Sequence, residues 1–272
     1  EGEVGGRDGV VELVGPRGSD DGGRDVVVAQ APRHRELRHG DPRLIREGTQ
    51  ALDPFEQVVV AEPPRDEVLA ALLVGGTAAL GRRLTGQVLS ALREWLDEHK
   101  DTAAKLSYVT IAGTGEPCLN NKLGEMILDI KKMVDLPVAV ITNSSMLVSP
   151  SVRKELLSAD LVVPSLDAAR QETFEKIDRP VPGTRITDII NALEEFRKEY
   201  PGKIWLEIML VRGLNDSPED IAGLKQAVER IKPDKIQVNS PVRKPAEEGV
   251  VPLDKQRIEE IMRVLGPSAE AV

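Results

Sequence analysis

A single cysteine, Cys118, stands in 272 residues, and one thiol excludes an internal disulfide framework. Aromatic residues make up only 3% of the chain, too few for the stacking platforms that single-stranded nucleic acids use. Three histidines, His34, His39 and His99, lack metal-ligand spacing and read as surface residues. No apolar run approaches the roughly 18 residues that a membrane-spanning helix needs. No charged-then-apolar leader opens the sequence, so secretion is not expected. Positive charge is the minority: 36 Lys and Arg against 45 Asp and Glu leave a formal net charge of -9, which does not favour polyanions as partners. The expectation is a soluble, cytoplasmic protein.

Two absences are local. Lysine is missing before Lys100 and asparagine before Asn120. Before Thr85 the chain is mostly Gly, Val, Arg, Asp, Ala and Pro, with Phe55 as its only aromatic. The stretch 15–24 carries no periodicity. Residues 26–28 and 58–61 read as short strand candidates, and 69–74 as helix or strand. Three readings of 1–84 stand: a poorly ordered natural extension, a small domain of its own, or a GC-rich gene start translated out of frame. The last is favoured, because lysine and asparagine codons are A-rich. The expected division is an irregular segment, 1–84, and an ordered core, 85–272.

From Thr85 the punctuation is regular. Thr85 is expected to cap a helix over 85–99 with Val88, Leu89, Leu92 and Leu96 on one face. Strands are predicted at 108–112, 137–142, 161–165, 204–211 and 235–239. Helices between them are predicted with Leu123, Met126, Ile127 and Ile130, with Ser149 as a cap before Pro150 and Val152, Leu156 and Leu157 inward, over 171–177, and over 187–200 with Ile190, Leu193 and Phe196. A further helix starts at Ser217-Pro218, with Ile221, Leu224, Val228 and Ile231 inward, and a last one covers 253–265. Strands alternating with helices of this length predict a parallel sheet covered by helices. The opening helix has no strand before it within the ordered core. The 108–112 strand is therefore expected at an exposed edge, with poor solubility unless 1–84 supplies a surrogate strand.

Each predicted strand ends in polar residues: Gly113, Thr114, Gly115 and Glu116; Thr142, Asn143, Ser144 and Ser145; Ser165 and Asp167; 212–216; and Asn239 and Ser240. In parallel α/β folds those ends share one rim, where ligands bind. Glycines at 113 and 115 let a ligand approach the backbone, and Pro117 stiffens the turn that follows. Glu116, Asp167 and the strand residue Glu207 are candidate acids or bases of an ordinary barrel enzyme. A buried ion pair is the alternative for Glu207.

Gly115-Glu116-Pro117 after a Val-Thr-Ile strand resembles the Gly-Glu-Pro motif of the radical S-adenosylmethionine (SAM) family. The segments 137–145, 161–167 with Arg179-Pro180, 204–216 and 237–239 resemble its successive strands and loops, in order. The likeness is to the branch of iron–sulfur proteins related to wybutosine-type tRNA modification enzymes. The resemblance implies a partial (βα)6 barrel of parallel strands, its first unit missing or replaced by the irregular N-terminal segment. It also implies SAM and a [4Fe–4S] cluster as cofactors, a 5′-deoxyadenosyl radical, and an electron donor such as flavodoxin or ferredoxin. By the same resemblance, Gly113, Thr114, Gly115, Glu116 and Pro117 would take the SAM amino group. Ser165 and Asp167 would lie near its ribose or carboxylate, Asn239 near its adenine, with Thr142 and Asn143 along the same mouth. RNA enters as a partner by analogy alone, and the substrate is otherwise an unspecified small molecule. The departure is that the family's Cys-x3-Cys-x2-Cys ligands have no counterpart here. Cys118 reads as a small packing residue. A SAM- or nucleotide-binding module without catalysis is the second reading. Sequencing the genomic DNA ahead of the Thr85 codon in all frames tests the out-of-frame reading. A Cys-x3-Cys-x2-Cys reading there is expected, and an intact frame across 83–84 in an independent isolate refutes it.

Overall fold

The computed structural model describes residues 58–61, 69–73, 81–112, 115–241 and 250–272. Eight strands form one sheet in sequence order: β1 (Val58–Ala61), β2 (Leu69–Leu73), β3 (Tyr108–Ala112), β4 (Val138–Thr142), β5 (Leu161–Pro164), β6 (Lys203–Met209), β7 (Lys235–Asn239) and β8 (Ala269–Ala271). The β1–β2 pair is antiparallel, and every later pair is parallel. The helices are α1 (Gly81–Glu98), α2 (Lys100–Ala103), α3 (Leu123–Met133), α4 (Pro150–Leu156), α5 (Gln171–Ile177), α6 (Ile186–Glu199), α7 (Pro218–Ile231) and α8 (Lys255–Leu265). This is the expected α/β partial barrel. Among the described residues no helix is long and apolar enough to cross a membrane.

Strand periodicity divides the core in two. One set of alternate residues (Val109 and Ile111, Val138 and Val140, Val162, Ile204, Leu206 and Ile208, Ile236 and Val238) packs under the helices. The helical stripes meet it there with Leu92, Ile127, Ile130, Leu193, Phe196, Leu224 and Ile231. The opposite set makes a smaller cluster on the other side of the sheet: Ala139, Leu161, Val163 and Trp205, with Tyr108 and Ile141 against them. The rings of Tyr108 and Trp205 meet edge-on at 6.0 Å, and Lys235 Nζ lies 4.2 Å from the Trp205 ring centre.

Some expectations need correction. The 108–112 strand is not an edge. Strand β2 pairs with it along its whole length, so residues 69–73, within the irregular segment, occupy the position of the first strand. Residues 58–61 are also a strand, while 26–28 lie outside the described residues. Helix α1 begins at Gly81, which places Thr85 inside the helix rather than at its cap. Ser149 stands at the start of α4, but its hydroxyl pairs with Ser151 and caps no backbone N–H. Leu157 is 39% exposed and lies outside the core. Ser217 does cap α7, accepting from Asp220 N at 3.1 Å.

Pro164 shapes the middle of the sheet. Ser165 N donates to Thr142 O on β4, and Leu166 N donates to Glu207 O on β6. N–H groups alternate sides along a strand, so the N–H that Pro164 lacks falls on the β6 side. There the β5–β6 ladder stops after Val162↔Ile204 and resumes only at a bridge between Ser165 and Glu207. Proline in a sheet interior removes a ladder bond. Here the gap sits directly under the carboxyl rim.

Strand β2 bonds on both sides, so a proline anywhere within it removes a ladder bond. Ala71→Pro is expected to destabilise the protein by about 3 kcal/mol and to leave aggregates in size-exclusion chromatography. An unchanged melting curve and elution volume would mean that β3 is an edge in solution.

Candidate functional site

All the parallel strands end on one rim, and side chains lace those ends together. Glu116 follows β3 and stands before a short 3-10 turn, Pro117–Leu119. Its Oε1 accepts from Thr142 Oγ1 at 2.6 Å and from Cys118 N at 3.0 Å, and its Oε2 accepts from Asn143 N at 2.7 Å. One carboxylate thus joins the β3 loop to the end of β4. Carboxylates that accept several hydrogen bonds are held firmly in place. Thr142 is buried, and its hydroxyl also accepts from Ser144 N at 3.2 Å. Asn143 is exposed and uses Oδ1 to hold Ser145 N and Oγ. Gly115 is exposed with open space around it. Gly113 and Thr114 lie outside the described residues.

Ser144 makes the next link. It is fully buried with φ of 68°, and its Oγ donates to Ser165 O at 2.7 Å. A left-handed residue other than glycine is strained by roughly 1–2 kcal/mol, and the buried bond to β5 offsets that cost. Beyond β5, Asp167 Oδ1 accepts from Met209 N at 2.8 Å. Asn215 Nδ2 donates to both Asp167 O and Met209 O, and its Oδ1 accepts from Val211 N. Ser240 Oγ donates to Leu210 O and accepts from Leu253 N.

On the face of the sheet turned away from the described helices, a chain of side chains crosses three strands. Glu207 Oε2 accepts from Ser165 Oγ at 3.0 Å, and its Oε1 accepts from Asn239 Nδ2 at 2.8 Å. The Glu207 position is in register with Ser165 and Gln237, and it follows Trp205 on the same face of β6. The polar row therefore stands on an apolar floor of Ile141, Val163 and Trp205. Asn239 Oδ1 is buried beside it with no donor, and so is the hydroxyl of Thr110, lower on β3. Buried polar atoms without partners are rare.

Of the residues expected at the site, Glu116, Thr142 and Asn143 form one cluster, and Ser165 and Asn239 meet through Glu207. Glu207, a candidate acid or base, lies on the same face of β6 as Trp205, away from the described helices. The groups in contact with it are a hydroxyl and an amide, in place of the buried ion pair held as the alternative. Ser144, Asn215 and Ser240 were expected only as polar strand ends on the rim, with no role assigned, and each proves to tie neighbouring strand ends together. Cys118 is 4% exposed and packs in the core under the helices, as expected. Its thiol donates to Thr142 Oγ1 at 3.5 Å, and burial, with Glu116 nearby, pushes its pKa far up. His99 is exposed and stacks on Trp95, while His34 and His39 lie outside the described residues. Among the described residues no group of three or more His, Cys, Asp and Glu is placed to hold a metal ion.

A profile of the Radical SAM superfamily matches residues 81–224, the span that carries β3 to β6 and most of the rim. The chain belongs to the radical SAM superfamily. A protein named GTPase Obg from Brachyspira hyodysenteriae is 38% identical over 173 residues, which cover 64% of this chain and 25% of that protein. This chain has no Gly-x4-Gly-Lys-Ser/Thr phosphate loop in its sequence. A UPF0026 protein from Methanocaldococcus jannaschii is 29% identical over 161 residues, 59% of this chain and 49% of that one. The radical SAM chain described here thus spans a quarter and a half of these two relatives. A radical SAM methyltransferase from Sphaerobacter thermophilus, at 16% identity, superposes with a TM-score of 0.58 over 78% of this chain and 68% of that one. Likeness at that identity speaks for the fold.

Burial raises the Asp167 carboxyl to about 8, against the pull of the Met209 N–H, and the nearby Asp178 and Glu207 carboxylates add to the rise. Burial also raises Asp178, to about 6. Between about pH 4 and about pH 8 the unfolded chain has lost a proton that folded Asp167 keeps, so stability falls as pH rises through that window. Asp167→Asn removes this titration and keeps an oxygen for Met209 N. The melting temperature of the wild type should drop relative to that variant by at least about 3 °C across the window, roughly 1 kcal/mol for a domain of this size. A difference that stays constant with pH would show that Asp167 is already ionised in the folded protein.

Proposed function

We propose that this chain is a SAM-binding core that has no [4Fe–4S] cluster of its own. One observation carries the first half. Ser165, Glu207 and Asn239 form a polar row at the rim, above an apolar floor, and Asn239 Oδ1 is buried there without a donor. An adenosyl ligand has what such a place needs, an apolar ring face with N–H and O–H donors at its edge. The Gly113–Gly115 backbone would take the amino group, with Glu116 and Pro117 holding that loop in place. Ser165 and Asp167 would meet the ribose or carboxylate, and Asn239 would meet the adenine. Asn143 lines the same mouth, while Thr142 supports it from behind, since its hydroxyl is already bonded within the protein.

The second half rests on the donor set. A cluster that leaves one iron for SAM is held by three thiolates. The 272 residues contain one cysteine. That thiol is buried, bonded to Thr142, and pushed away from the thiolate form. The residues present do not fit the cluster. Bound SAM would supply an activated sulfonium; this chain's residues would bind it, orient it and keep water from its apolar face.

The finer kinship, to wybutosine-type tRNA modification enzymes, belongs to the same proposal and rests on motif order, from Gly115-Glu116-Pro117 through Arg179-Pro180 to Gln237-Val238-Asn239. RNA as a substrate follows from that analogy alone.

Calorimetric titration of the full chain with SAM is expected to give saturable heat, and the absence of heat at high ligand concentration rejects the binding. Anaerobic reconstitution with iron and sulfide is expected to leave no stable four-iron absorbance and no 5′-deoxyadenosine. A stable cluster with product formation would sink the cluster-free half.

A further inference from the structure

From β5 to β8 the register sets four side chains in one row, on the face turned away from the described helices: Ser165, Glu207, Gln237 and Glu270. Residues paired across a ladder point to the same side of a sheet. Three of the four are engaged. Ser165 donates to Glu207, Glu207 also accepts from Asn239, and Glu270 pairs with Lys235 Nζ at 3.0 Å. Gln237 is half-buried, and its side chain has no hydrogen-bond partner among the described residues. Strand β8 ends the sheet among the described residues, so no further strand flanks the row beyond Glu270.

A glutamine amide presents two N–H donors and an oxygen side by side. The charges around Gln237 limit what it meets. Lys235 compensates Glu270, whereas the groups bonded to Glu207 are neutral. An anion placed here meets the Glu207 charge. An ammonium group would use the oxygens and leave the Gln237 N–H groups unpaired, and an unmatched donor away from water costs more than a matched one contributes. A neutral group with a donor beside an acceptor uses both ends of the amide, as a glutamine does on the edge of a base. We propose that Gln237 is the recognition residue of a second binding position on this face, below the one assigned to SAM, and that it takes a neutral carboxamide or lactam group of a small-molecule substrate. Asn239 Oδ1, two residues further along β7, is left to the ligand at the rim. The second position goes beyond the SAM reading and does not depend on it.

The competing account is a strand residue that only faces solvent. Benzamide, benzoate and benzylamine are the probes: one ring that carries an amide, an anion or a cation. Ligand-observed NMR on the full chain, with and without SAM, compares wild type with Gln237→Leu, alongside melting curves and a SAM titration. The wild type is expected to bind benzamide more tightly than the other two. Gln237→Leu should lose on the order of tenfold in benzamide affinity. Its melting temperature should change little, because no hydrogen bond within the protein is lost. Gln237→Glu, of the same shape, keeps an oxygen and drops the donors, and it should show a loss as well if leucine disturbs the strand. Benzamide affinity that survives both substitutions would overturn the proposal. So would benzoate or benzylamine binding the wild type as tightly as benzamide, or no binding of any probe. Saturable SAM heat without benzamide binding would defeat this proposal alone, and benzamide binding without SAM heat would defeat the SAM reading alone.

Discussion

At the carboxyl rim of a parallel sheet the ladder stops as the strands part into loops, and every peptide group beyond that point needs another partner. An unpartnered buried N–H or carbonyl costs about 1–3 kcal/mol, more than a typical hydrogen bond contributes. This chain meets the demand with side chains. Glu116 ties β3 to β4, Ser144 ties β4 to β5, and Asp167 and Asn215 tie β5 to β6. Ser240 ties the β7 end to β6. The loops that shape the mouth are therefore fixed by the same bonds that close the sheet. A ligand at that rim would meet groups already engaged in holding the sheet, except at the few atoms left over.

Those leftover atoms carry the functional argument. Pro164 opens a gap in the β5–β6 ladder, and Ser165 and Glu207 bridge it by backbone and side chain together. Asn239 then bonds Glu207 through its nitrogen and leaves its oxygen without a donor. A structural role accounts for one end of Asn239, and a ligand would account for the other. Thr110 on β3 has a similar buried hydroxyl without a partner.

Much of this was legible beforehand. The inward faces of α3, α6 and α7 follow from their 3.6-residue spacing, and α5 falls where its pattern placed it. These stripes are readable because burial of one helical face is a local constraint. Strand β2 was not readable as such. Leu-Ala-Ala-Leu-Leu suits a helix as well as a strand, and only its pairing with Tyr108–Ala112 decides between them. The start of α1 was misplaced because a threonine resembles a cap, while the helix had already begun a turn earlier. Strand β8 is too short to leave a pattern.

By itself the sequence determined the alternation of strands and helices, the rim on which polar residues gather, and the lack of thiols for a cluster. Each of these depends on residue type and spacing along the chain. The tertiary structure decided which rim residues face each other. Glu116 belongs with Thr142, twenty-six residues away, and Glu207 with Ser165 and Asn239, forty-two and thirty-two residues away. Register between strands distant in sequence sets those meetings, and register depends on the packing of both sheet faces at once. A single strand does not encode it.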